Sequence, residues 1–142
     1  MIDLDRCPCS GKTLSKLIQP GVLTVLASGP LHGYRIVEKL SGLRILGGRK
    51  PDTAGVYRAL KTMEKRKLVK ARWDTSASGP ARHLYAMTRS GRACLDRWVS
   101  TLTDYRRAVG ELLRVVRSAS RSPQGDAARR AHRTPAKGKD RP

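Results

Sequence analysis

Basic and hydroxyl-bearing side chains cluster between residues 53 and 65 of the 142-residue chain, at spacings that suit contact with a nucleic acid. The segment opens with the small residues Thr53, Ala54 and Gly55, which let a helix end approach another molecule closely, and free backbone N–H groups there attract phosphate. Four larger side chains follow that can reach base edges or phosphates: Tyr57, Arg58, Lys61 and Lys65. A solvated amphipathic helix would show the same basic face, so the interpretation depends on the rest of the chain.

Two other segments offer contacts of the same kind. A turn rich in Ser and centred on Gly79 stands between Arg72 and Arg82, an arrangement that suits a grip on backbone phosphate, although a plain hairpin turn is the alternative. His32 and Tyr34 begin a predicted helix, where free N–H donors and the Tyr hydroxyl can touch phosphate. His32 can equally serve only as a partner for the helix cap.

Three cysteines are the only other reactive side chains of note. Cys7 and Cys9 are one residue apart, closer than the two-residue spacing of common zinc knuckles, and only Cys94 can add a third thiolate. A metal or thiol-redox site is therefore the alternative to an ordinary buried Cys94, and we predict no bound metal.

Catalytic motifs are absent from the sequence. The three histidines lie in unrelated segments, and there are no paired carboxylates, Walker loop, HExxH motif or dinucleotide-binding fingerprint. The sequence therefore predicts a protein that is not an enzyme and uses no cofactor.

The charge of the chain supports the nucleic-acid interpretation. Thirty Lys and Arg against eleven Asp and Glu give a net charge of +19 at pH 7, which indicates a polyanionic partner. Residues 118–142 have seven bases, two acids and almost no large apolar side chain, so we expect a disordered basic tail that contributes +5. The remaining +14 belongs to residues 1–117 and must be displayed on a folded domain.

The length and composition also limit the number of domains and the cellular compartment of the protein. The length suits one domain, and with no Phe the core must be aliphatic. An odd number of cysteines excludes a complete disulfide framework, no run of 18 apolar residues exists, and acids replace the bases of a secretory signal at the N-terminus. We expect a soluble cytoplasmic protein without membrane contact.

Hydrophobic periodicity predicts a mainly α protein with one hairpin. The expected elements are a short helix ending near Gln19, a helix from Pro20 to a stop at Ser28, a helix over 32–40, a helix capped by Asp52 or Thr53, strands over 68–74 and 81–87, and a long helix capped by Thr88. Three helices followed by a two-stranded wing form a winged helix-turn-helix, whose third helix enters the major groove.

This order predicts four regions: a leader over 1–11, a DNA-binding domain over 12–88, a dimerisation helix over 89–117 and the tail over 118–142. In the DNA-binding domain, Val56, Leu60 and Met63 form the predicted apolar stripe of the third helix. In the first strand, Val69 and Trp73 are expected on one face and Arg72 on the other.

The long last helix has more apolar surface than the small preceding core can cover. We therefore predict a homodimer, whose two-fold symmetry places two recognition helices about 34 Å apart on a palindromic duplex. The predicted contact residues are Leu95, Trp98, Leu102, Tyr105, Val109, Leu112 and Val116.

Three ordered runs resemble one known family. PGVLTVLASGPLHGYRIVEKL, GVYRALKTMEKRKLV and SGPARHLYAMTRSGRACLDRW are similar to the PadR family of bacterial and archaeal winged-helix transcriptional regulators, over about residues 18–105. The resemblance implies a homodimeric repressor that contacts its partner through the C-terminal helix and that a small-molecule effector or stress signal releases from DNA. The leader CPCSGKTL and the loop before Asp52 look most similar to members described as poly-beta-hydroxybutyrate-responsive repressors.

The resemblance implies DNA contact by seven residues: Tyr34, Tyr57, Arg58, Lys61, Gly79, Pro80 and Arg82. Lys67 departs from the pattern, which usually has Gly after the third helix, so we expect this helix end to close differently. The competing functions are a basic RNA- or ribosome-associated winged-helix protein, for which the chain has few stacking aromatics, and an interaction adaptor whose charge serves solubility.

Overall fold

The computed structural model describes residues 17–45, 51–76, 79 and 82–122. Its elements are helix α1 (Ile18–Leu26), strand β1 (Leu31–His32), helices α2 (Gly33–Gly42) and α3 (Thr53–Lys65), strands β2 (Val69–Asp74) and β3 (Arg82–Met87), and helix α4 (Arg89–Ser120). The strands form an antiparallel sheet in the order β1-β3-β2. This arrangement confirms the predicted mainly α winged helix-turn-helix with a long C-terminal helix.

Helix α1 contains the first departure from the sequence prediction. It begins at Ile18 and continues through Pro20, so the predicted break between Gln19 and Pro20 is wrong. Pro20 lies in the first turn, where a backbone nitrogen needs no intrahelical acceptor and the missing N–H costs nothing. The Pro20 carbonyl accepts a 2.8 Å hydrogen bond from the Thr24 hydroxyl. The earlier part of the predicted short helix lies outside the described residues.

Strand β1 was not predicted. His32 was expected to begin a helix, but its backbone is extended (φ −67°, ψ 153°) and pairs with Leu84, while α2 starts at Gly33 and ends at Gly42. A strand of two residues has no periodicity that a sequence can display, which is why it was missed.

The core lies where α1, α2 and α3 meet one face of the sheet. The predicted stripe of α3 is confirmed, because Val56, Leu60 and Met63 are all buried. They pack with apolar residues of the other elements: Ile18, Val22, Leu23, Val25, Leu26, Ile36, Leu40, Val69 and Tyr85.

The wing has two chemically different faces. Val69 is buried, as expected, and Ala71 packs against the core. Trp73 follows on the same face but is 64% exposed, because β2 extends past the end of the core. Lys70 and Arg72 pair in register with Ala86 and Leu84, and their side chains share the outer face of the sheet.

Both ends of α3 are capped by local hydrogen bonds. The Asp52 carboxylate caps the start by accepting from the Gly55 N–H at 3.2 Å. At the other end Lys67 takes the left-handed conformation, with a φ of 60°. The Lys67 N–H donates to Glu64 O at 2.9 Å, and the Leu68 N–H donates to Met63 O, also at 2.9 Å. This is a Schellman motif, so the expectation that Lys67 closes the helix differently is wrong.

Thr88 caps helix α4, as predicted, and the helix begins at Arg89. The Thr88 hydroxyl oxygen accepts a hydrogen bond from the Gly91 N–H at 3.0 Å. Gly91 packs so closely that a Cβ there would overlap the Leu68 carbonyl oxygen. The helix continues to Ser120, so the predicted boundary at 118 is three residues early. No helix among the described residues is long and apolar enough to cross a membrane.

The chain divides after Val99 into two compact units. In the first unit, Leu95 and Trp98 are half-buried and pack against the core, so the winged domain itself covers these two predicted dimer residues. In the second unit, the other predicted contact residues are exposed: Leu102, Tyr105, Val109, Leu112 and Val116.

Candidate nucleic-acid interface

The exposed face of α3 presents the side chains that the sequence singled out. Tyr57, Arg58, Lys61 and Lys65 are exposed, as are Thr53 and Ala54, whereas Gly55 is half-buried. The Asp52 cap reduces the free donors at the start of α3, because the Gly55 N–H already donates to the Asp52 carboxylate. Arg58 Nη2 also lies 3.5 Å from Asp52 Oδ2, in an ion pair whose two side chains are both largely exposed.

Tyr57 connects α3 to the start of α2. A Cβ added to Gly33 would lie 2.6 Å from Cε1 of the Tyr57 ring, so this ring packs on the α2 backbone at a point where no side chain fits. Tyr57 still exposes 41% of its surface. One aromatic side chain therefore joins the two helices, with its hydroxyl end against Gly33 and part of its surface open to solvent.

Tyr34 connects α2 to the wing. The Arg82 guanidinium lies 5.1 Å from the centre of the Tyr34 ring, a cation–π distance between residues 48 positions apart in the chain. The Tyr34 ring is also nearly parallel to the His32 ring, with centroids 5.8 Å apart. The fold thus brings two predicted contact residues from different elements onto one surface.

Trp73 and His83 complete this surface, although the sequence analysis did not select them. Their ring centroids are 4.0 Å apart on neighbouring strands. Together with the residues above they line a groove of about 390 Å³, which we call the aromatic groove: His32, Gly33, Tyr34, Tyr57, Trp73, Arg82, His83 and Tyr85. The sequence signal for this surface is an aromatic residue at the strand end beside the turn, although the alternation of β2 predicts Trp73 on the core face.

A second contact joins His32, which lines this groove, to Asp74 at the end of β2. His32 Nε2 lies 2.8 Å from Asp74 Oδ2, and the Ser76 hydroxyl and N–H both donate to Asp74 Oδ1. These hydrogen bonds from Ser76, followed by the one with His32, lower the pKa of Asp74 to about 2. Burial raises the pKa of Tyr85, whose ring is at the inner end of the groove.

Other predicted contact residues lie elsewhere. Arg72 is on the outer face of the sheet and does not line the aromatic groove. Lys65 is in the last turn of α3, and Gly79 is at the wing tip with a φ of 129°. Pro80 lies outside the described residues.

The cysteines do not form a described site. Cys94 is half-buried beside the core, and the Gln19 amide donates to its sulfur at 3.7 Å. Within the described part of the chain, no three His, Cys, Asp or Glu residues are grouped to hold a metal. Cys7 and Cys9 lie outside that part, together with most residues behind the likeness to poly-beta-hydroxybutyrate-responsive repressors.

The same fold occurs in solved structures of transcriptional regulators. TA0346 of Thermoplasma acidophilum, a candidate transcriptional regulator, is 25% identical with a TM-score of 0.63, over 72% of this chain and 95% of that chain. The PadR-like regulator BC4206 of Bacillus cereus is 24% identical with a TM-score of 0.59, over 72% and 96%. Bacillus subtilis PadR, solved with operator DNA, is 20% identical with a TM-score of 0.52, over 59% and 46%.

A comparison with curated protein sequences finds no match. The model of the transcriptional regulator PadR-like family, in contrast, matches residues 22–97, which is more than half of the sequence. The winged fold, the surface joining α2, α3 and the wing, and this match agree, and the chain belongs to the PadR-like family of transcriptional regulators.

Proposed function

We propose that this regulator is a sequence-specific repressor that binds duplex DNA as a homodimer, with α3 in the major groove and the wing beside it. The observation that carries the proposal is the contact between Tyr34 and Arg82, which places the start of α2 and the wing on one surface. Tyr57 joins α3 to the same surface through Gly33.

The charges on this surface favour a polyanion. Lys61 and Lys65 have no ion-pair partner among the described carboxylates, and Arg58 has only the exposed, 3.5 Å pair with Asp52. Exposed pairs of this length are worth about 0–1 kcal/mol, so a phosphate or a guanine edge can replace Asp52 at little cost. The operator complex of Bacillus subtilis PadR supports DNA as the partner.

The exposed apolar side chains of α4 support the homodimer. Positions 102, 105, 109, 112 and 116 alternate in steps of three and four, the spacing of a coiled-coil seam. A second copy would cover this stripe with its own, which is the simplest way to remove the patch from water. Repression follows if the dimer occupies a promoter, and a signal that weakens DNA binding would release it.

Footprinting on the DNA upstream of the protein's own gene tests the proposal. A protected palindrome is expected, with affinity far above that for a shuffled duplex of the same composition. Equal affinity for both duplexes, or tighter binding to single-stranded RNA, would contradict it and favour the RNA-associated alternative.

A further inference from the structure

A second groove lies on the outer face of the wing, away from the aromatic groove. Its volume is about 580 Å³, within the usual range for small-molecule sites. Strands β2 and β3 form its floor, the turn after α1 forms one wall, and Arg92 of α4 contributes to the rim. We call it the outer groove; it is lined by Leu26, Ala27, Ser28, Gly29, Pro30, Lys70, Ala71, Arg72, Leu84, Ala86, Met87 and Arg92.

The floor of the outer groove is apolar where a solvated sheet face would carry polar residues. One face of an antiparallel sheet normally packs on the core and the other alternates to polar side chains. The outer positions of β3 are Arg82, Leu84 and Ala86, and the two that line this groove, Leu84 and Ala86, are apolar and only half-buried. Met87 and Pro30 extend the apolar surface. No described element covers this face, so it has apolar area to offer a ligand.

The rim of the outer groove is cationic. Lys70, Arg72 and Arg92 line it, and no described carboxylate forms an ion pair with any of the three. Among the described residues, the Arg92 guanidinium donates to Ala27 O at 3.5 Å, which leaves its other N–H donors available. Asp74 lies on the same face of the sheet but is engaged by His32 and Ser76.

We propose that the outer groove binds a small amphipathic anion, with an apolar body over Leu84 and Ala86 and an anionic head at the basic rim. Charge complementarity selects the sign of the ligand, because three cations without a carboxylate partner surround an apolar floor. The register places Arg72 beside Leu84 and Lys70 beside Ala86, so head and body are bound by adjacent residues. No residue of α3 lines this groove.

Calorimetric titration of the full chain with decanoate tests the proposal. We expect one decanoate per chain, with at least about tenfold weaker binding of acetate, which lacks the body, and of decyltrimethylammonium, which reverses the charge. Equal binding of the cationic probe would mean non-specific apolar contact and would overturn the assignment.

Two variants locate the site. Lys70→Glu with Arg72→Glu reverses the charge of the rim and should weaken decanoate binding about tenfold or more, since the head loses its charge-assisted hydrogen bonds and meets two carboxylates. Ala86→Phe fills the floor without changing the charge and should have the same effect, with circular dichroism confirming the fold. Lys61→Glu with Lys65→Glu is the matched control on α3 and should leave decanoate binding unchanged.

The same variants separate an anion site from an extension of the DNA surface. If decanoate does not bind, or binds the rim and floor variants as tightly as it binds the unaltered chain, the outer groove is not an anion site and the proposal is wrong. A loss of duplex affinity in the rim variant, without decanoate binding to the unaltered chain, would instead assign Lys70 and Arg72 to DNA. Neither result bears on the role of α3.

Discussion

His32 Nε2 lies 2.8 Å from Asp74 Oδ2, so the residue immediately before α2 is joined directly to the last residue of β2. This contact crosses the sheet on the outer face and spans 42 positions of sequence. It couples the angle of the wing to the helix that carries Tyr34. A change in this contact is therefore expected to alter the aromatic groove as well as the wing.

Acid should remove the contribution of Asp74 to stability. Its folded pKa of about 2 is below the ordinary 3.8, so the stabilisation is complete above about pH 4 and is lost as pH falls toward 2. Asp74→Asn should therefore lower the free energy of unfolding at pH 7, and the difference from the unaltered chain should shrink below pH 4. Urea unfolding at several pH values measures this.

The partners of Asp74 should differ in their effect on its pKa. The Ser76 hydroxyl is the largest cause of the lowering, so Ser76→Ala should raise the carboxyl pKa more than His32→Ala does. Carboxyl chemical shifts followed through the titration give both values. The reverse order would show that His32 dominates the contact.

Lys67→Gly should stabilise the fold by about 1 kcal/mol, because Lys67 adopts a left-handed backbone conformation that glycine takes without strain. Denaturant unfolding measures the difference. Lys65→Gly is the matched control within α3, where glycine should instead cost about 0.5–1 kcal/mol. A destabilised Lys67→Gly variant would contradict the helix end described here.

Gly33→Ala should weaken both stability and DNA binding. The new Cβ would overlap the Tyr57 ring, and relieving such overpacking costs about 1–3 kcal/mol. Gly42→Ala, at the other end of α2, has no atom within 4 Å of its Cβ and should be near neutral. Anisotropy titrations on operator DNA and thermal unfolding compare the two variants.

Lys61→Ala should weaken binding to all duplexes alike and lower the slope of log affinity against log salt by about 1, because one phosphate contact is lost. Arg58→Ala should also relax sequence choice. Titrations on the operator and on a shuffled duplex at several salt concentrations distinguish the two effects. If neither change alters duplex binding, α3 is not the recognition helix.

Leu102→Glu with Val109→Glu should produce monomers with much weaker operator binding, because both side chains are exposed on the stripe proposed to meet a second copy. Arg107→Glu adds acidic charge on the opposite side of the helix by its spacing and should leave the dimer intact. Sedimentation velocity at micromolar concentration reports the oligomeric state. A monomeric unaltered chain would refute the proposed seam and its palindromic site.

Local pattern was enough to predict most elements from the sequence. Val56, Leu60 and Met63 recur at helical spacing, and the caps Asp52 and Thr88 act on N–H groups three residues away. The two strands were predicted within one residue of their observed limits, since alternation and the intervening turn are also local signals. Interactions within a few residues therefore determined the order of elements and the basic face of α3.

Tertiary structure alone decided which of these residues meet. Tyr34 reaches Arg82, and His32 reaches Asp74, only because β1 pairs with β3, and no short-range pattern encodes a pairing between distant segments. The extent of the core likewise decided burial. Trp73 continues the alternation of β2 yet is exposed, because the periodicity of a strand sets the face of a side chain but not whether another element lies opposite it.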